Sequence, residues 1–254
     1  MIKYFDINAE GCSVRCKYYG GPRGTIRKAV ITVHGFAGHK DNKSTERFAE
    51  YLLAKHRDTA VLAFDLPCHG SDVRKKLSLA DCEHSLSLVT AYAAESLGAE
   101  ELYAYGNSFG GYLLLKSISE QGNPFERIVL RSPALPMHQV FEASLLTEQQ
   151  QALLDKGKEI LVGFDRKVPV GAAFVEELRA ADVTKRDFIP FAEQLLVLHG
   201  TGDELVPIAP VQAFCEENII ECIPLEGADH RLRNPRHMDA AVKAAEAFLM
   251  RGEL

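Results

Sequence analysis

Five consecutive residues, Gly106-Asn107-Ser108-Phe109-Gly110, set a serine hydroxyl between two glycines in a G-x-S-x-G pattern. A strand that turns abruptly into a helix strains the backbone of its middle residue, and flanking glycines leave the room that such a turn needs. A serine held there can attack an electrophilic carbonyl, provided that a base takes its proton. A glycine-rich turn with a solvated serine has the same spelling. The neighbours favour the first reading. Leu102-Tyr103-Ala104-Tyr105 ahead of the motif has strand character, and Tyr112-Leu113-Leu114-Leu115-Lys116-Ser117-Ile118 behind it has helix character.

The elements needed to hold such a turn are legible along the chain. Apolar runs of strand length at 29–33, 60–64, 102–105, 127–130, 195–198 and 219–223 alternate with helical stretches at 44–55, 79–97, after Ser108, at 207–217 and at about 235–250. Strand then helix, repeated, predicts an α/β fold with a mainly parallel sheet covered on both faces. Residues 12–19 read as an antiparallel hairpin arm before the first buried strand. Between about Pro133 and Pro190 the alternation breaks. Thr147-Glu148-Gln149-Gln150 fits a helical capping box, Gly157 can end that helix, and a second helical pattern covers 171–179. Phe141, Leu145, Leu146, Phe164 and Phe174 supply apolar material for a lid. The expected organisation is a core of residues 1–132 and 191–254, with 133–190 as a small helical lid insertion.

In open parallel sheets, functional groups collect at the carboxyl ends of the strands. Here those ends carry His34-Gly35-Phe36-Ala37-Gly38, Asp65-Leu66-Pro67-Cys68-His69-Gly70-Ser71, Ser108, His199-Gly200-Thr201-Gly202-Asp203-Glu204-Leu205-Val206-Pro207, and Gly227-Ala228-Asp229-His230. These motifs, spread from His34 to His230, resemble those of the α/β-hydrolases. Within that superfamily the chain is similar to lidded serine esterases, among them monoacylglycerol lipases, serine aminopeptidase-like hydrolases and cinnamoyl or feruloyl esterases. Two positions depart from the commoner pattern: Asn107 stands where relatives often have His, Glu or Gln, and Cys68 where Asp-x-x-Gly-His-Gly has glycine.

The resemblance implies a catalytic set of Ser108 as nucleophile, His230 as base and Asp203 as the anion that orients the imidazole. It also implies an oxyanion hole built from the backbone N–H groups of Phe36 and Phe109. His34, His69 and His199 are read as loop-shaping histidines. Glu204 is the neighbouring alternative for the acid, and Asp229 is read as a loop cap. The expected activity is hydrolysis of carboxylic esters through an acyl-enzyme, with Phe36, Phe141, Leu145 and Phe174 against the substrate. Those side chains fit an apolar or aromatic acyl group such as a hydroxycinnamate, and they fit plain core packing equally well.

Peptide-bond cleavage would call for an acidic patch to hold a substrate amine, for which Glu142, Glu148, Glu176 and Glu177 are the candidates. Thioester hydrolysis and acyl transfer use the same three groups. A non-catalytic receptor on the same fold is the reading from another class. No H-E-x-x-H or comparable ligand cluster occurs, so neither a metal nor a cofactor is expected.

Composition narrows the partners. The chain has 254 residues, 46% hydrophobic and 25% charged, with a formal net charge of −6. That balance, without a Lys/Arg-dense run, speaks against nucleic acid or an anionic membrane surface. The expected partner is a small-molecule ester, with no stable membrane association, and a homodimer stays open. Met1 to Asp6 has no signal-peptide pattern, and six cysteines without a C-x-x-C pair read as free thiols, so a cytoplasmic location is expected.

Overall fold

Eight strands hydrogen-bond into one sheet in a computed structural model that describes residues 1–9, 11–22, 24–163 and 166–252. In chain order they are β1 (Ile2–Ala9), β2 (Cys12–Gly20), β3 (Lys28–Val33), β4 (Thr59–Phe64), β5 (Glu101–Asn107), β6 (Arg127–Arg131), β9 (Leu195–Gly200) and β10 (Glu221–Leu225). Their order across the sheet is β1-β2-β4-β3-β5-β6-β9-β10. β1 and β2 pair antiparallel, as do β2 and β4, and every later pairing is parallel. The expected α/β class is thus what the chain adopts.

Parallel strands covered on both faces need apolar side chains on both. β4 obeys this fully, since all six of its residues are buried. Along β3 the side chains alternate: Ala29, Ile31 and Val33 belong to one apolar cluster and Val30 to the other. The second cluster lies under α1 (Lys43–Lys55) and α8 (Pro235–Leu249), with Phe48, Leu52, Val242, Ala245 and Leu249 facing the sheet. The first lies under α2 (Leu79–Ala91), α3 (Phe109–Gln121) and α7 (Ile208–Glu217). Side-chain caps start three of these helices: Asn42 accepts from the Thr45 amide, Ser78 from Asp81, and Asn234 from Arg236. Each cap satisfies an amide with no intrahelical partner.

The stretch between β6 and β9 contains α4 (Met137–Val140), which widens into a looser turn through Leu145, then α5 (Glu148–Leu154), β7 (Ile160–Val162), β8 (Val168–Val170) and α6 (Ala172–Ala180). The capping box at Thr147 forms, and Gly157 takes a left-handed φ of +70° three residues beyond α5. The antiparallel ribbon of β7 and β8 is absent from the sequence-based expectation. Three-residue strands are too short to show a period of two. Phe164 lies outside the described residues.

Candidate active site

Ser108 sits at the turn from β5 into α3 with φ 51° and ψ −113°, a conformation that L-residues rarely adopt. Its surroundings show why the flanks are glycine. A Cβ at Gly106 would lie 2.8 Å from Gly110 O, and one at Gly110 would lie 2.2 Å from Val33 O. Gly35, after β3, passes so close that a Cβ there would meet Ser108 Cβ at 3.2 Å. Phe36 follows directly. Phe109 is the first residue of α3, where an amide has no intrahelical acceptor.

The loops after β9 and β10 bring the other two groups to the serine. A Cβ at Gly200 would lie 2.1 Å from Ala228 O, so the two loops pack backbone to backbone. His230 Nε2 lies 3.1 Å from Ser108 Oγ, and His230 Nδ1 lies 2.7 Å from Asp203 Oδ2. With Asp203 ionised, Nδ1 carries the proton and Nε2 is left as the acceptor facing the hydroxyl. Asp203 Oδ1 accepts from the amides of Leu205 (3.0 Å) and Val206 (2.8 Å). Burial opposes the charge of this carboxylate, but hydrogen bonds from His199 and His230, the His230 charge and the Val206 amide hold it well below the usual range. Glu204 beside it is exposed.

The remaining histidines and acids resolve by their bonds. His34 is buried; its Nδ1–H donates to Gly35 O at 2.8 Å and its Nε2 accepts from the Leu66 amide at 3.1 Å. His69 Nδ1–H donates to Pro67 O at 2.7 Å. Burial pushes His34 down to about 4 and His69 to about 3, the His34 ring adding to the second effect. Asp229 caps its own loop by accepting from the Arg231 and Arg233 amides. Asp65 is fully buried against Lys40 Nζ at 2.8 Å. Cys68 adopts a φ of +64°, which explains why a glycine is the commoner occupant.

A cleft of 330 Å³ opens above Ser108 and His230, large enough for a small ligand. Its apolar wall is Phe36, Met137, Val140, Leu145, Leu205 and Val206, and its polar lining includes His39, Asn107, Arg131, Arg166 and Arg231. Of the four side chains expected against the substrate, Phe36 and Leu145 line this cleft. Phe141 and Phe174 do not. They are 0% and 1% exposed and stand behind Phe36 in a chain of edge-on rings: Phe36 to Phe141 at 5.4 Å, then Phe141 to Phe174 at 6.2 Å. The four glutamates considered for an amine site are also elsewhere. Glu142 and Glu176 pair with Arg179, Glu177 caps the Leu79 amide, and Glu148 begins α5; none lines the cleft.

Sequence reasoning missed Arg131, which ends β6, and gave His199 no contact with the acid. Inspecting the end of β6 like those of the other strands would have raised Arg131. Among the described residues, no group of three or more His, Cys, Asp or Glu side chains could hold a metal ion, and no helix is long and apolar enough to cross a membrane.

Comparison with known proteins agrees with this fold. The model of the alpha/beta hydrolase family matches residues 30–245, and the chain belongs to that family. Among solved structures, Est1E from Butyrivibrio proteoclasticus, with ferulic acid bound, superposes with a TM-score of 0.75 at 20% identity, over 96% of this chain and 97% of that one. Alpha/beta hydrolase domain-containing protein 10 from mouse gives 0.73 at 16% identity, over 96% and 97%. A monoacylglycerol lipase from Paleococcus ferrophilus gives 0.63 at 19% identity, over 93% and 98%. No curated protein sequence matches the chain.

Proposed function

We propose that this α/β hydrolase cleaves carboxylic esters through an acyl-enzyme. The observation that supports the reading best is the unbroken hydrogen-bonded chain from Ser108 Oγ through both nitrogens of His230 to Asp203, beside a partly apolar cleft. In this reading His230 takes the Ser108 proton as Oγ attacks the ester carbonyl, and the amides of Phe36 and Phe109 hold the oxyanion. The imidazolium then protonates the departing alcohol. Water, deprotonated by His230, attacks the acyl carbonyl, and collapse releases the acid and restores Ser108. Asp203 stays ionised throughout and fixes the tautomer.

The apolar wall formed by Phe36, Met137, Val140 and Leu145 fits an aliphatic or aromatic acyl group of modest size, and residues 133–190 act as the cap that shapes it. Aminopeptidase activity is disfavoured because none of the four glutamates that could hold an amine lines the cleft.

The test is turnover of p-nitrophenyl esters from acetate to decanoate and of a ferulate ester, with Ser108→Ala beside the wild type. Activity lost in the mutant, with Ser108 labelled by a fluorophosphonate in the wild type, supports the reading. A folded protein that turns over no ester and resists labelling overturns it.

A further inference from the structure

Arg131 is the residue of the cleft that ester hydrolysis alone does not call for. It ends β6 and is 8% exposed, yet it lines the cleft with Ser108 and His230. Its Nε donates to Asn107 Oδ1, and Nη1 donates to the backbone carbonyl of His230 at 3.2 Å. Both acceptors are neutral, and no carboxylate among the described residues forms an ion pair with this guanidinium. A guanidinium has five N–H donors, so three remain after these two bonds. Burying a cation without a counter-charge is costly, and proteins normally supply one.

The rest of the lining has the same sign. Arg166 adds a second guanidinium group, and no Asp or Glu stands among the described lining residues. Arg166 spends one donor on Gly70 O at 3.3 Å. Asp203, behind His230, is buried and occupied by His230 and by two backbone amides. All this occurs in a chain of net charge −6, so the positive cleft is local and not a reflection of overall composition.

We propose that the substrate ester carries an anionic substituent, a carboxylate or a phosphate, and that Arg131, assisted by Arg166, binds it. This deepens the ester-hydrolase reading and rests on it. A planar guanidinium with donors to spare suits either oxyanion. The arrangement also makes Arg131 a specificity-determining residue: its two existing bonds hold the fork against the loop that carries His230 and the residue before Ser108, so an anion that it binds is registered against the nucleophile.

The experiment compares matched neutral and anionic esters. Monoethyl glutarate is set against ethyl valerate, for a carboxylate on the acyl side. Carboxymethyl butyrate and 2-phosphoethyl butyrate are set against ethyl butyrate, for a carboxylate and a phosphate on the alcohol side. Each kcat/KM is normalised to the ester's hydroxide-catalysed rate. The expected result is a preference of about tenfold or more for the anionic member of at least one pair, equivalent to about 1.4 kcal/mol. Which pair shows it identifies the charge and the side. The ratio should fall towards unity in Arg131→Met, survive in part in Arg131→Lys, and drop severalfold in Arg166→Met, which leaves the loop bonds of Arg131 intact. Indifference or preference for the neutral member in every pair overturns the proposal while leaving the hydrolase reading standing, and so does a ratio unchanged in the Arg131 variants. If Arg131→Met does not fold, the wild-type ratios and Arg166→Met decide. Absence of turnover of all five esters, with Ser108 unlabelled by a fluorophosphonate, overturns both.

Discussion

His199 Nε2 lies 3.3 Å from Asp203 Oδ2, the oxygen that also bonds His230, and donates at 2.8 Å to the carbonyl of Val206. The acid is thus gripped between two imidazoles, one fully buried beneath it and one facing the serine. His199 touches no substrate position, so its role is to set where Asp203 points. The Nε2–H is shared between Val206 O and the longer contact to Asp203, so its loss removes only part of the about 1.5–3 kcal/mol that a full hydrogen bond to a charged group contributes. Replacing His199 with Phe should therefore lower kcat by about threefold to tenfold. KM should hardly move, because the cleft does not include this side chain. Steady-state kinetics with one good ester decide it; a parallel rise in KM, with kcat unchanged, would remove His199 from the positioning role.

The identity of the acid has its own test. Asp203→Asn keeps the shape but takes away the charge that stabilises the imidazolium, and it permits the wrong tautomer, so kcat should drop by about 10³-fold to 10⁴-fold. Glu204→Gln should stay within about twofold of wild type, because Glu204 is exposed and surface changes rarely matter. A severe loss at Glu204 with a mild one at Asp203 would reverse the assignment. Only neutral His230 can take the serine proton, so kcat/KM should decline as pH falls. Asp203, held well below the ordinary carboxylate range, stays ionised through that decline.

Ser108, His230 and Asp203 are legible in the sequence because each lies in a short motif at the end of a strand, and the structure brings the three within hydrogen-bond reach. The clashes that a Cβ would make at Gly106 and Gly110 show why the elbow tolerates glycine there. The fold is similarly legible, since a run such as Thr59–Phe64, buried at every position, has no polar face to confuse its reading. What escapes is information carried by packing. Phe36, Phe141 and Phe174 look alike as letters, and only the arrangement of rings decides that the first faces the cleft and the others support it. Arg131 reads as the polar residue that ends an apolar run. Its burial beside His230 depends on the β10–α8 loop, a hundred residues later in the chain.

The acid stability of the protein should be governed by the histidines under the loop that follows β3. His34 Nε2 must be unprotonated to accept from the Leu66 amide, and burial holds His34 at about 4 and His69 at about 3, against 6.5 for exposed histidine. The charge of Asp65, itself paired with Lys40, only partly offsets this. Between pH 6.5 and about 4 the unfolded chain binds more protons at these two sites than the folded one. Stability is therefore fully present above pH 6.5 and lost progressively as pH falls towards 4. Asp203, whose carboxyl is depressed, loses its contribution only at lower pH, below the ordinary value of 3.8. Thermal unfolding should show Tm falling steadily across pH 6.5 to 4 and a shallower fall in His69→Gln. A flat Tm over that window would mean that the two rings are not held neutral.

The two kinds of aromatic and aliphatic residue around the cleft should separate cleanly by mutation. Phe141 is fully buried among Phe36 and Phe174, so Phe141→Ala removes a ring from a packed cluster and should cost about 3–5 kcal/mol of stability. Leu145 is only half-buried and faces the cleft at the end of the turn that Ser144 ties to Leu205 O at 3.1 Å. Leu145→Ala should therefore cost little stability and instead lengthen the acyl site. One methylene in an apolar pocket is worth about 1–3 kcal/mol in discrimination. The optimum along a series of linear p-nitrophenyl esters should accordingly move to chains longer by about two carbons in Leu145→Ala. Phe141→Leu, the milder replacement, should lower Tm and leave the order of preference unchanged. An acyl preference that follows Phe141 and ignores Leu145 would place the substrate wall one layer deeper than the cleft.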